Sequence, residues 1–237
     1  MTELAKLDEN FKRVLCVVAH PDDAEYGLSA CVHKWMQQGV EVSYLLLTAG
    51  EAGMQRDPDE VRPLRAAEQR AACDIVGVDD LEILDHPDGM LTYSLELRRD
   101  VARKIRQFKP DAVVTGSWKI EVGWGLNHVD HRVTGEVTLD AVRDADNTWA
   151  FPELARDEGL PKWHVDKFLV YGDTPTHAVE LSQADVDAGV RSLAAHEQYL
   201  ADLVDYPAPE DFLPPALKAQ GEAFGTEYAF TFQVHDF

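Results

Sequence analysis

The sequence is short of cysteine, of basic side chains and of long apolar runs. Three cysteines, Cys16, Cys31 and Cys73, stand in 237 residues. None forms a Cys-x-x-Cys pair, which argues against a disulfide scaffold and against a structural zinc knuckle. Lys and Arg total 22 against 43 Asp and Glu, a net charge of −21 at pH 7. Such a surface repels phosphate backbones and anionic lipid, so nucleic acid and membrane surfaces are poor partners. The longest strongly apolar stretches, around residues 14–19 and 44–47, fall far short of the ~20 residues that a membrane helix needs. The opening MTELAKLDENFKR has no apolar segment of signal-peptide type, and the expected location is cytoplasmic.

Common catalytic signatures are missing too. There is no GxGxxG after the first apolar run, no GxxxxGK[ST], no GxSxG elbow and no HExxH. Dinucleotide, P-loop and serine-hydrolase chemistries lose their support. Repeats, low-complexity tracts and Ser/Gly linkers are likewise absent, so a single domain over 1–237 is expected, with 146–237 as a less regular C-terminal part. The Pro-rich patch at 207–215 is followed by too little chain for a second domain.

What is present is a chain of 45% hydrophobic and 27% charged residues, ordinary for a globular core. Apolar runs at 14–19, 41–47, 81–84 and 111–115 read as strands, and amphipathic stretches at about 24–38, 63–76 and 94–108 read as helices between them. A further helix follows Asn127 to about 144. Beyond it, 167–171, 177–181 and 228–234 read as strands, and Ser182 caps a helix to about 203. The alternation predicts an α/β fold, a Rossmann-like three-layer sandwich around a mostly parallel sheet with a mixed edge.

The first strand runs into Ala19-His20-Pro21-Asp22-Asp23-Ala24-Glu25. In open α/β sheets ligands bind beyond the carboxyl ends of the strands, where this cluster falls. An Asx-capped turn accounts for one Asp, but not for a second Asp beside it or for His20. Imidazole and carboxylate are ligands that zinc accepts, with three protein ligands and one open position in catalytic sites. His20 and Asp23 supply two. A third can come from Asn127-His128-Val129-Asp130-His131 after the fourth strand, where His128 and His131 share a helix face at i, i+3 if Asn127 is the N-cap. The helix N-terminus disfavours imidazolium, and an Asp130 hydrogen-bonded to His128 would offset that for His128.

These residues resemble the PIG-L (LmbE-like) de-N-acetylase family, which carries His-Pro-Asp-Asp after the first strand and a later His-x-Asp-His. Thr48 to Gly53, Arg65-Ala66-Ala67-Glu68 and Pro87-Asp88-Gly89 resemble the family as well, and His196-Glu197-Gln198 is similar to its late His-x-Ser-Gln, with Glu197 departing. The resemblance covers most of residues 14 to 200. It implies Zn2+ on His20, Asp23 and His131, with Asp22 as general base. It further implies His128 serving the transition state, Asp130 orienting His128, and Arg65 and Asp88 contacting the sugar. An Arg65–Glu68 pair on a helix face and a Pro-Asp-Gly turn at Asp88 are the plainer readings of those two residues. His33, His86, His164, His177 and His235 show no partner pattern.

The implied function is hydrolysis of an N-acyl, most simply N-acetyl, group on a small-molecule amino sugar or its conjugate. Amidase action on a sugar-thiol conjugate is the alternative within that class. Outside it stand a non-haem iron(II) oxygenase, since two His and one carboxylate also suit iron, and a non-catalytic sugar-binding module. Trp118 and Trp124 could stack on a sugar face. A homo-oligomer is compatible with the sequence, which does not reveal the exposed apolar surface.

Overall fold

The computed structural model describes residues 4–237. Its strands are β1 (Ala5–Lys6), β2 (Arg13–Val18), β3 (Glu41–Leu46), β4 (Asp80–Ile83), β5 (Ala112–Gly116), β6 (Glu121–Val122), β7 (Gly125–Leu126), β8 (Lys167–Tyr171), β9 (His177–Leu181) and β10 (Tyr228–Asp236). Eight of them form one sheet in the order β1-β9-β10-β8-β5-β2-β3-β4, and β6 and β7 pair as a small hairpin. Strands β8, β5, β2, β3 and β4 run parallel, whereas β10 is antiparallel to both β8 and β9. The predicted α/β sandwich with a mostly parallel sheet and a mixed edge is observed.

Alternation along β2 builds both cores. Val14, Cys16 and Val18 face one apolar cluster, and Leu15 and Val17 face the other. The first cluster packs under α1 (Leu28–Gln37), α6 (Gln183–Ala194) and α8 (Pro209–Phe224), and the second under α3 (Leu95–Phe108) and α4 (Val129–Ala145). Burial on both faces is why the central strands read as continuous apolar runs. All three cysteines are buried and unbonded. No helix among the described residues is long and apolar enough to cross a membrane.

Several boundaries differ from the sequence expectation, each for a physical reason. The helix expected from about 24 starts at Leu28, because residues 21–27 are held in turns with Asp22 at φ 83° and Gly27 at φ 135°. The helix expected from Pro63 begins at Pro58, where Asp57 accepts from the Asp59 amide, and α2 (Pro58–Val76) carries Pro63 inside it. The helix expected to reach 203 stops at α6, and a short α7 (Glu197–Asp202) follows after His196. A short α5 (Pro152–Arg156) and the Pro-rich α8 were not expected. Pro209 opens α8 where no amide partner is needed, and Leu213, Leu217 and Gly221 are its buried positions.

Gly27 deserves its place in this frame: a Cβ there would lie 2.6 Å from the Phe230 ring, and its φ is one that side chains rarely adopt. Gly27→Ala is expected to lower stability by about 1–3 kcal/mol, read as a lower denaturation midpoint with unchanged slope.

Candidate active site

The site lies over the carboxyl ends of β2 and β5. Two features of residues 19–23 set it up. Asp22 adopts a left-handed backbone, and the chain folds back so that Asp23 Oδ2 accepts the amides of Ala19 and His20 at 3.0 and 2.9 Å. The Asp22 amide in turn donates to Gln69 Oε1 at 3.0 Å. Strain of this kind costs on the order of 1–3 kcal/mol and persists only where the surroundings impose it.

His20 is surrounded by carboxylates. Its Nε2 lies 3.0 Å from Asp88 Oδ1 and 3.2 Å from Asp130 Oδ2, and its Nδ1 lies 3.5 Å from Asp23 Oδ2. Ionised carboxylates only accept, so Nε2 is the donor and Nδ1 turns toward Asp23. Asp130 also accepts the Gly89 and Leu91 amides at 2.7 and 3.0 Å, and Asp88 Oδ2 accepts the Ala52 amide at 2.7 Å.

His131 meets Asp23 from the other side. Asn127 Nδ2 donates to the Ser117 and Lys119 carbonyls, so its Oδ1 is the acceptor for His131 Nδ1 at 3.1 Å. His131 Nε2 then faces Asp23 Oδ1 at 3.1 Å. A neutral ring of that tautomer would set a lone pair against a carboxylate, which requires a proton or another cation between them. The ligand atoms of His20, Asp23 and His131 lie within 4.8 Å of one another. Two imidazoles and one carboxylate, anchored from behind by Asp130, Asp88 and Asn127, are a donor set and outer shell that fit a divalent metal. Nitrogens of His20 and His128 and an oxygen of Asp130 also lie within 4.8 Å of one another. The Asp130 oxygens are already taken by two amides and His20.

Proton affinities follow the charges. Burial pulls His20 and His131 down, but Asp23 outweighs it and holds both above the ordinary imidazole value, with Asp130 and Asp88 adding to the effect on His20. Burial alone would raise Asp23, yet His131 and His20 hold it well below the carboxylate range. For Asp22 burial wins over the pull of Arg65, and its carboxyl is pushed up to about 6.

Arg65 is buried and both its terminal nitrogens are engaged with protein: Nη1 donates to the Gly50 carbonyl (3.0 Å), and Nη2 to the Pro21 carbonyl (2.6 Å) and Asp22 Oδ1 (3.0 Å). The Tyr199 ring covers its guanidinium at 3.8 Å. A Cβ on Gly50 or Gly53 would stand 2.2 or 2.7 Å from Arg65 Nη1, so the glycines of Thr48 to Gly53 make room for that side chain. The Arg65–Glu68 pair offered as the plainer alternative does not form; Glu68 accepts the Gln198 amide at 2.7 Å.

Two expectations about the second motif need correction. The N-cap of α4 is His128, not Asn127, because His128 is extended and its Nδ1 accepts the Asp130 amide at 3.3 Å. Asp130 therefore orients His20 and not His128. His128 is exposed to the cleft, its ring 5.6 Å from that of His20 and 5.7 Å from that of His131. Trp118 packs on Phe168, whereas Trp124 is exposed at the cleft rim and lies against Gly172. Sequence reasoning missed Asn127 and Gln69 as supports. It also missed the fully buried Glu25, whose Oε1 accepts from Gln69 Nε2 and whose Oε2 lies 3.7 Å from His196. Their signal was faint, since each acts through a contact distant in sequence.

The family profile described as GlcNAc-PI de-N-acetylase (PIG-L) matches residues 15–142. Diacetylchitobiose deacetylase of Thermococcus kodakarensis is 29% identical over 94% of this chain and 84% of its own. Mycothiol S-conjugate amidase of Streptomyces coelicolor is 28% identical over 60% of this chain, which spans only 55% of that protein. Among solved structures, N,N'-diacetylchitobiose deacetylase from Pyrococcus horikoshii, complexed with an inhibitor, superposes with a TM-score of 0.85 at 25% identity, covering 96% of this chain and 85% of that one. The matched segment contains both motifs and the whole His/Asp cluster, and on that ground the chain belongs to the PIG-L family of de-N-acetylases and is an amide hydrolase.

Proposed function

We propose that this protein is a zinc-dependent deacetylase of an N-acetylated amino sugar or its conjugate. The observation that carries the reading is the His20, Asp23 and His131 cluster with Asp22 beside it. His20 Nδ1, the Asp23 carboxylate and His131 Nε2 are the atoms that would hold the metal. When bound, zinc supplies Lewis acidity, which makes water a nucleophile near neutral pH and polarises an acyl carbonyl. Two His and one carboxylate also suit iron(II); membership in a family of deacetylases favours hydrolysis with zinc over an oxygenase or a purely binding role.

The remaining steps belong to the protein's own groups. Asp22 is held by Arg65 through Oδ1, which leaves its second oxygen to accept the proton of the attacking water. A carboxyl pushed up to about 6 by burial is ionised at neutral pH yet basic enough to keep a proton for the departing amine. His128 accepts at Nδ1, so its neutral ring carries the proton on Nε2 and donates to the oxygen that gains charge. Arg65 serves by positioning Asp22, and Asp88 by orienting His20 while bordering the cleft where sugar hydroxyls would lie. The diacetylchitobiose deacetylases support an N-acetylglucosamine-type substrate, and the mycothiol conjugate amidase supports the amide of a sugar-thiol conjugate as second reading.

Elemental analysis of the purified protein followed by mass-spectrometric screening of N-acetylated sugars tests metal, reaction and substrate together. Asp22→Asn should keep stoichiometric zinc and lose about 10²–10⁴-fold in kcat; near-wild-type turnover refutes the base role. Asp23→Ala should lose the metal, and Asn127→Leu should weaken zinc binding by about 10–100-fold in a competition titration with a chelating dye.

Charge linkage gives a test independent of turnover. In the metal-free protein the raised His20 and His131 contribute stability that is complete below about pH 6.5, the unfolded histidine value, and lost as pH rises through their folded values. The raised Asp22 acts in the same sense, its share lost as pH climbs through about 6. Zinc takes the place of those protons. Scanning calorimetry should therefore find a larger zinc-induced rise in Tm at about pH 8 than at about pH 6; an equal rise at both argues against metal on these histidines.

A further inference from the structure

The cleft extends well past the catalytic cluster. Its volume is about 1270 Å³, above the ~300–1,000 Å³ usual for drug-sized ligands. The sheet order divides it. Arg65, Asp88 and the Ala52–Gly53 turn stand over β3 and β4 on one side of β2, and Tyr171 and Phe230 stand over β8 and β10 on the other. The two halves differ in chemistry. The first is polar and carries the Asp88 carboxylate, with the Arg65 guanidinium and the Ala52 and Gly53 amides beside it already bonded within the protein. The second is walled by aromatic rings: Tyr26 lies 6.0 Å from both Tyr206 and Phe212, those two are 6.3 Å apart, and Tyr171 is 6.2 Å from Phe230.

We propose that the aromatic half is a subsite for a neutral, apolar, ring-bearing substituent at C1 of the amino sugar. The proposal rests on the deacetylase reading above. In a 2-acylamino sugar the amide sits on C2, between C1 and C3. With the amide over the catalytic cluster and the C3 and C4 hydroxyls toward Asp88, the C1 substituent leads to the opposite half, over β8 and β10. Charge selects its class. Among the described residues lining this half the one cation is Lys119, and it is paired with Asp173. An anionic aglycone would therefore meet no free counter-charge, in a chain of net charge −21. Polar groups at the far wall are also engaged, since Gln220 Oε1 accepts both the amide and the hydroxyl of Thr231 at 2.9 and 2.7 Å. Aromatic rings at this spacing favour another ring by offset or edge contact.

The test compares kcat/KM of the zinc-loaded enzyme for methyl, phenyl and carboxymethyl N-acetylglucosaminides, alongside glucosamine acylated with acetyl, butanoyl or hexanoyl groups. The phenyl glycoside is expected to exceed the methyl glycoside by about ten-fold or more, the scale of an apolar contact in a specificity pocket, with the carboxymethyl compound lowest. Phe212→Ala and Tyr206→Ala should reduce the phenyl-to-methyl ratio, and Phe212→Leu should keep part of it. Equal rates for phenyl and methyl, or a preference for the anionic glycoside, overturn the proposal. So does a preference for long acyl chains that Phe212→Ala removes, which would assign the chamber to the acyl group. Calorimetric titration of phenyl N-acetylglucosaminide separates the two readings: Phe212-dependent binding without turnover supports the subsite and counts against the reaction, and absence of both binding and turnover overturns the subsite as well.

Discussion

Three carboxylates, those of Asp23, Asp88 and Asp130, converge on the single imidazole of His20, a fourth, Asp22, stands next in the chain against Arg65, and three of the four are almost wholly buried. Negative charge at that density cannot be left unpaired in a poorly solvated interior. The surrounding structure answers it with backbone amides from residues 19, 20, 52, 89 and 91, with the Arg65 guanidinium, and with two histidines that hold protons more tightly than usual. One demand is met by nothing but a proton or a cation: the Asp23 oxygen that faces His131. Metal binding and fold stability are in this way the same electrostatic problem.

The parallel sheet supplies the means. Its carboxyl ends bring the turn after β2, the loop after β4 and the start of α4 to one place, so that residues more than a hundred positions apart meet within hydrogen-bond distance. The segment from β8 onward extends the same sheet and adds aromatic walls to the cleft. The His/Asp cluster is thus concentrated over β2 to β5, while most of the cleft's aromatic wall, Tyr171, Tyr206, Phe212 and Phe230, comes from elements outside the matched segment. Fold alone does not decide an activity; here the ligand set and its supports narrow it.

His20, Asp22, Asp23 and His131 were legible because two short motifs carry residue types with few other uses at those positions. The parallel strands were legible because burial on both faces writes an unbroken apolar run. The supports were not. Asn127 reads as a helix cap, yet the carbonyls of Ser117 and Lys119 draw its amide away and leave its oxygen to His131. Arg65 reads as a substrate contact or a helix-face ion pair, yet glycines fifteen and twelve residues earlier open a buried slot for it beside Asp22. The helix α8 was hidden by its prolines, and its stability comes from Leu213 and Leu217 packing inward, which no local propensity records.

The two motifs determined by themselves that this chain gathers histidine and carboxylate at the ends of neighbouring strands, and the acidic total of −21 set the expectation against polyanionic partners. Residue type and spacing suffice for that, because both are local properties. Only the tertiary structure decided which oxygen faces which nitrogen: that Asp130 serves His20 and not His128, that Asp22 sits in a left-handed turn under Arg65, and that one half of the cleft is aromatic. Those outcomes depend on contacts between distant segments, and such contacts follow from how the layers pack and not from any short stretch of sequence.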